Sequence, residues 1–404
     1  MNYFKVGIIT LFIFFSCSAN LSQTIEKKEK GLVIDIDNAK INIDDEFLYS
    51  SKFKSIKTIA LETNELCLIG FINKIRVYGD YIIILDSDIA KSILIFDTNG
   101  RFIRKIGSIG QGPDEYTDPF DYAVDIEEMA IYVLDSFLRK IKKYNLTTGE
   151  FINSITLDKN VMSYNIEYVG GVLFADAYFS EHSDDNYLIR IIQEPSGKID
   201  GNFLNVKEYN KGISNNSYIY KNVFFLRENG NVAFVQPFMD KIIGISKDSV
   251  YSLFDIKSKD VITSEIIKTA MEKNPLRYGL DLMQYNKYYN ISSFIEHNNM
   301  IQFNYQKGNT LMLILFDKQT NEVRIIKKRR DDLLYLDNVS GIPAPRFGCY
   351  DSHGVYYFYD TFQVEILKQL ANDGVLSPKL DKLDDLKKLD DDANPVIFYY
   401  EFKD

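Results

Sequence analysis

Apolar and polar positions along the chain recur as one unit: a turn, a short apolar strand, a polar break, a second apolar strand and a turn carrying Gly or Asn. The first copy runs Gly79-Asp80-YIIILDS and continues as SILIFDTNGRFIRKIG. The second is MAIYVLDS from Met129, continued by KIKKYNLTTGEFINSITL. Asp86 aligns with Asp135 and Gly100 with Gly149, both at an offset of 49 residues (135 − 86 and 149 − 100). Looser copies start at Gly170, Asn229, Asn298 and His353. Six copies at intervals of about 40–70 residues, each offering three or four strands, predict an all-β, six-bladed β-propeller. Such a ring has no open sheet edge if its ends meet. Ser55–Leu61 and Pro395–Phe402 both read as strands, and one is expected to complete a blade begun by the other.

Two stretches depart from the β pattern and predict short helical insertions. Ser264–Met271 has helical apolar spacing and stops at Asn274-Pro275. Ser377-Pro378 supplies a cap and a first-turn proline, and Leu380, Leu383, Leu386 and Leu389 then form one apolar stripe expected to pack on the propeller.

The N-terminus predicts export. Lys5 precedes an apolar run, Val6–Phe15, that is too short for the roughly twenty residues of a membrane-spanning helix. The run ends at Ser16-Cys17, which resembles a lipobox, with Phe14 where Leu is usual. That resemblance implies residues 1–16 as signal peptide and lipidation of Cys17. It also implies an outer-membrane anchor, because no Asp follows the cysteine. The absence of an acidic cluster after Cys17 favours the periplasmic face over the cell surface. Residues 17–54 are expected to form the lipidated cysteine and a polar tether, and 55–404 the propeller. Cys67 and Cys349 fall in the first and last blades, where a bridge is possible and buried free thiols are favoured.

Leu61-Glu62-Thr63, Leu68-Ile69-Gly70, the ILIFDTNGRFIRKIG run, Gly110-Gln111-Gly112-Pro113-Asp114-Glu115-Tyr116 and Asn394-Pro395-Val396-Ile397-Phe398-Tyr399-Tyr400 resemble the six-bladed propeller lipoproteins of the Bacteroides group. These are related in fold to NHL-repeat and TolB-like propellers. The resemblance spans most of 55–404 and implies a fold, without an agreed activity.

Charge and candidate chemistry narrow the function. A formal net charge of −10 excludes a general nucleic-acid binder, which needs cations against phosphates. Lys327-Lys328-Arg329-Arg330 is the only dense basic run, and with Asp331-Asp332 behind it is expected to be a solvated strand end or turn. Gly110–Tyr116 lacks the Lys-Ser/Thr of a P-loop and is read as an inter-blade turn whose Asp114, Glu115 and Tyr116 are candidates to face the channel mouth and bind a ligand. His182, in a polar loop, is a further ligand-binding candidate. The three histidines show no metal-ligand spacing, so no metal and no cofactor is expected. Asp86 and Asp135 repeat, which argues for a structural job on the next turn's N–H groups. Asp248-Ser249-Val250 resembles a short O-glycosylation signal. No catalytic constellation stands out. The expectation is therefore a non-enzymatic binding or scaffold module for an envelope protein, peptide or glycan. The alternative is a propeller hydrolase or lyase using acids that converge at the channel mouth.

Overall fold

The computed structural model describes residues 24–403 apart from 29, 42–45, 160–161, 178–185, 214–221, 228, 276 and 337–343. Six antiparallel sheets form the six blades of a propeller. In each, strand A lies innermost and strand D at the rim. Blade 1 comprises Lys74–Tyr78, Tyr81–Asp86, Ser92–Asp97 and Phe102–Ile106. Blade 2 comprises Pro119–Asp125, Ala130–Asp135, Lys140–Asn145 and Phe151–Thr156. Blade 3 comprises Ile166–Val169, Val172–Asp176, Tyr187–Ile192 and Ile199–Asn205. Blade 4 comprises Phe224–Leu226, Val232–Phe234, Lys241–Ser246 and Ser249–Lys257. Blade 5 comprises Tyr288–His297, Met300–Lys307, Thr310–Asp317 and Val323–Ile326. Blade 6 takes Arg346–Tyr350, Gly354–Tyr359 and Val396–Phe402 from the end of the chain, and Phe53–Ala60 from its beginning as strand D.

Stacking explains the apolar runs. A middle strand has a neighbouring blade on each face, so Ala130–Asp135 and Gly354–Tyr359 are buried throughout, whereas rim strand Phe151–Thr156 is mostly exposed. The repeated residues lie at the joints between blades. Gly100 has φ +88 and sits so close to strand D of blade 6 that a Cβ there would lie 2.2 Å from the Ala60 carbonyl oxygen. Gly197 repeats the contact on Thr156 of blade 2. The Asp86 carboxylate accepts the N–H groups of Gly70, Phe71 and Ile89; that of Asp135 accepts those of Thr117, Asp118 and Leu138. Asp176 does the same for Tyr164 and Asn165. These aspartates thus hold the loop that leads into strand A of their own blade.

The ring closes as expected, through antiparallel pairing of Ile59 with Ile397 and its neighbours. The expected tether is a correction. Ile25–Lys27 and Leu32–Asp35 add to the rim strand of blade 4 in parallel register, Lys40–Ile41 adds to that of blade 5, and Glu46–Leu48 pairs with Lys328–Arg330. The segment is a belt along the rims of blades 4 and 5. Ile34 and Ile36 are buried by it, and Gly31 lets the belt pass over Leu253 where any Cβ would lie 2.7 Å from backbone.

Ser264–Lys273 is helical, capped by Thr263 and ended at Asn274. The second expected helix is reduced to one turn, Leu383–Leu386. Ahead of it, Asp381 is drawn onto blade 6, its side chain accepting the Thr58 N–H and its carbonyl the Thr58 hydroxyl, and Lys382 adopts φ 56. The leucine stripe still packs inward, with Leu380 and Leu386 buried. An unanticipated helix, Thr361–Asn372, starts at a capping box of Asp360 and Gln363. Cys67 and Cys349 are free buried thiols, and burial pushes Cys349 up to about 12.

Candidate functional site

The inner strands of blades 1, 2 and 3 bring charge into the channel. The Lys74 ammonium, from blade 1, donates to Asp121 of blade 2 at 2.8 Å and to the Tyr122 carbonyl at 2.7 Å. The other Asp121 oxygen accepts the Ile166 N–H of blade 3. Arg76 donates to the Phe224 carbonyl of blade 4 at 2.6 Å and lies 4.0 Å from Glu167 of blade 3. None of the four charged side chains is more than 5% exposed, and burial pushes the Glu167 carboxyl up. This is an ionisable cluster of the kind a channel enzyme would need. It is sealed, however: Lys74, Asp121 and Arg76 tie four blades together, while Glu167 Oε2 and Arg76 Nε lie buried without a hydrogen bond among the described residues, so the cluster acts as a plug. At the end of the channel where strands D lead into strands A, the Asn222 side-chain amide of blade 4 donates to the Asn73 carbonyl of blade 1, and the Asn222 backbone N–H donates to the Asn165 side-chain oxygen of blade 3.

The opposite end is open. There the short turns between strands A and B of blades 1, 2, 3, 4 and 6 surround a bowl of about 730 Å³. Tyr78, Tyr168, Leu226 and Tyr350 form its apolar wall. Asp125, Glu127, Glu128, Asp248 and Asp351 outnumber Arg227 and Lys247. The Asp125 carboxylate accepts the N–H groups of Glu127 and Glu128, which fixes this turn. Asp351 does the same for His353 and Gly354. Arg227 is held by Glu296 at 2.6 Å, and Glu128 meets Lys143 at 2.8 Å. A concave site with an aromatic wall and a surplus of carboxylates suits a positively charged ligand that can also lay apolar surface on tyrosine.

Of the residues singled out in the sequence, Asp114, Glu115 and Tyr116 lie elsewhere, and Asp248 lines the bowl. Gly110–Tyr116 is an inter-blade turn, as expected, but it occupies the joint between blades 1 and 2, at the end away from the bowl. Lys142 donates to the Pro113 carbonyl and the Tyr144 hydroxyl to the Asp114 carbonyl. The Tyr116 ring is fully buried and its hydroxyl donates to the Ile106 carbonyl, which takes it out of reach of a ligand. Glu115 accepts the Gly112 N–H, and the Asp114 side chain is exposed. Cys17 and His182 lie outside the described residues. The Ser249 hydroxyl is buried under the belt and bonded to Ser246, which disfavours it as a glycan acceptor. The run Lys327–Arg330 is neither a free strand end nor a turn, since Lys328–Arg330 pairs with the belt. Among the described residues no group of three metal-ligating side chains converges, and no helix is long and apolar enough to cross a membrane.

Comparison with known proteins agrees on the architecture. Residues 32–401 match the family model described as a domain of unknown function, DUF4934. No curated protein matches the chain. Among solved structures, the presumptive exported protein BF0058 of Bacteroides fragilis NCTC 9343 is 18% identical, with a TM-score of 0.69, over 92% of this chain and 100% of that one. A member of the DUF4221 family from Bacteroides vulgatus is 11% identical, with a TM-score of 0.47, over 87% and 97%. At 18% identity the first likeness bears on the fold.

Proposed function

From the premise that the chain belongs to the DUF4934 family of six-bladed propellers, we propose that it is a non-enzymatic binding module of the cell envelope, anchored in the outer membrane through Cys17 on the periplasmic side, whose acidic bowl receives a cationic segment of an envelope protein. The observation that carries this reading is the bowl itself, built from five blades around one opening and holding more carboxylates than cations. The belt supports its orientation. Thr24 donates to the Lys247 carbonyl and Ile25 to that of Asp248, and both acceptors belong to rim residues of the bowl. Seven Cα–Cα steps (24 − 17) lead from Cys17 to Thr24, a reach of about 25 Å when extended. A lipid on Cys17 would therefore hold the bowl against the membrane, facing whatever projects from it.

The test is carbodiimide cross-linking of carboxylates to amines in intact envelopes, with the partner identified by mass spectrometry. The wild-type chain is expected to capture a partner through a lysine, Glu127→Lys/Glu128→Lys to lose it, and Cys17→Ala to leave the membrane fraction. Equal capture by the double lysine variant would sink the bowl reading, and persistent membrane association of Cys17→Ala would sink the anchor.

A further inference from the structure

A second cavity, of about 620 Å³, lies between blades 5 and 6 at the end of the propeller away from the bowl. Its charge is of the opposite sign. Lys327, Arg329, Arg330 and Arg346 line it against a single acid of the described residues, Asp331, although the chain as a whole is acidic. The belt creates this arrangement: Glu46–Leu48 pairs with Lys328–Arg330 through the backbone and so holds the run as an extended edge, leaving its side chains free for other contacts.

The two acids that follow the run are committed to protein partners. The Asp331 carboxylate accepts the N–H groups of Leu333 and Leu334 and the Tyr400 hydroxyl. That of Asp332 accepts the N–H and hydroxyl of Ser50. Arg346 is paired with Asp360 and lies over the Phe71 and Phe358 rings. Within ion-pair distance, no carboxylate of the described residues meets Lys327, Arg329 or Arg330; Arg329 donates one bond, to the Leu311 carbonyl. The cavity also contains polar groups and rings. Strand Tyr288–His297 bulges at Ser292–Ser293, with Ser293 at φ 54, and both serines line the cavity beside Asn304. Tyr49, Tyr357 and Phe347 add aromatic surface.

Guanidinium groups bind carboxylate, sulfate and phosphate through paired N–H donors, and a ring next to them accepts the planar part of a ligand. We propose that the cleft between blades 5 and 6 is a binding site for a small organic anion, an oxyanion group carried on a ring, gripped by Arg329 and Arg330 with Lys327 at its edge. The site is independent of the bowl and of the membrane anchor.

The probe is phenyl phosphate, titrated calorimetrically against the intact chain at low ionic strength, with inorganic phosphate in parallel. Saturable one-to-one binding is expected, at least tenfold tighter for phenyl phosphate than for phosphate. Arg329→Gln/Arg330→Gln should weaken it at least tenfold. Lys327→Gln, whose exposed side chain makes no bond to the described residues, should weaken it several-fold without touching the fold. Glu127→Gln/Glu128→Gln, at the other end of the molecule, should leave it unchanged. Amide shift changes on addition of the probe should centre on Ser292, Ser293 and Asn304. Absence of saturable binding, binding indifferent to both cation variants, or shift changes centred on the bowl would each overturn the proposal.

Discussion

Lys74 and Asp121 meet 2.8 Å apart in the channel, one from blade 1 and the other from blade 2, both shielded from water. Their contact joins the first two blades, and the second Asp121 oxygen carries the link on to Ile166 in the third. Removing one partner leaves a buried charge without its counterpart, which costs about 3–5 kcal/mol. Asp121→Ala should lose that much in urea unfolding. Lys74→Met/Asp121→Leu should lose less than Asp121→Ala alone, because no charge is then stranded. A double variant as unstable as the sum of its singles would show that the two residues act separately.

Asp135 and Asp114 make contrasting partners for a second test. The Asp135 carboxylate satisfies three backbone N–H groups and the Thr117 hydroxyl, whereas the Asp114 side chain is exposed. Hydrogen bonds to a charged acceptor are worth about 1.5–3 kcal/mol, and surface changes away from such features stay within roughly 0.5 kcal/mol. Asp135→Ala should therefore lose about 3 kcal/mol and Asp114→Ala almost nothing. Comparable losses would contradict the joint role given to Asp135.

The belt can be distinguished from a tether by its own residues. Ile34 is fully buried and Val33 is 48% exposed. Ile34→Ala should cost about 2–4 kcal/mol and Val33→Ala less than about 0.5 kcal/mol. Neutral behaviour of both would mean that residues 32–35 do not pack on blade 4 in solution.

Lys52 provides a pH test. Its ammonium reaches Gln302 and the Phe402 ring, and burial holds it down at about 7 from an ordinary 10.5. The folded chain thus binds fewer protons than the unfolded chain between about pH 7 and 10.5, so this residue makes stability rise with pH across that window. The advantage of Lys52→Met over wild type should shrink from pH 7 to pH 10 in denaturation midpoints. Parallel profiles would show that Lys52 titrates normally.

The parts of the molecule legible in its sequence are those that repeat for the same physical reason. Asp86 and Asp135 each tie down the loop into strand A, and Gly100 and Gly149 each turn strand C into strand D, so the joints carry a visible period. The bowl has no such signature. It takes short turns from five blades, two of them from blade 4, between Tyr78 and Ser352, and no local pattern connects them. Asp114 to Tyr116 form a compact motif, yet that motif shapes a joint. The belt was obscured by the charges in Glu26-Lys27-Lys28-Glu29-Lys30, which read as a solvated leash; an added edge strand needs only one covered face. Val33, Ile34 and Ile36, β-branched residues within Leu32-Val33-Ile34-Asp35-Ile36, are the available sign of a strand. Helix Thr361–Asn372 was announced by Asp360 and Gln363, three residues apart.

Strand Phe53–Ala60 belongs to blade 6, and its only sheet partner among the described residues is Val396–Phe402. A chain that emerges N-terminus first therefore carries an unpaired edge for almost the whole of its synthesis. The last strand to arrive completes a blade with one of the first, across more than three hundred residues, the kind of non-local pairing that folds slowly and leaves intermediates prone to aggregate. The latch thus doubles as a check on completeness: a product cut short anywhere before Val396 cannot shut its ring, and would present an open edge to whatever machinery removes unfinished proteins.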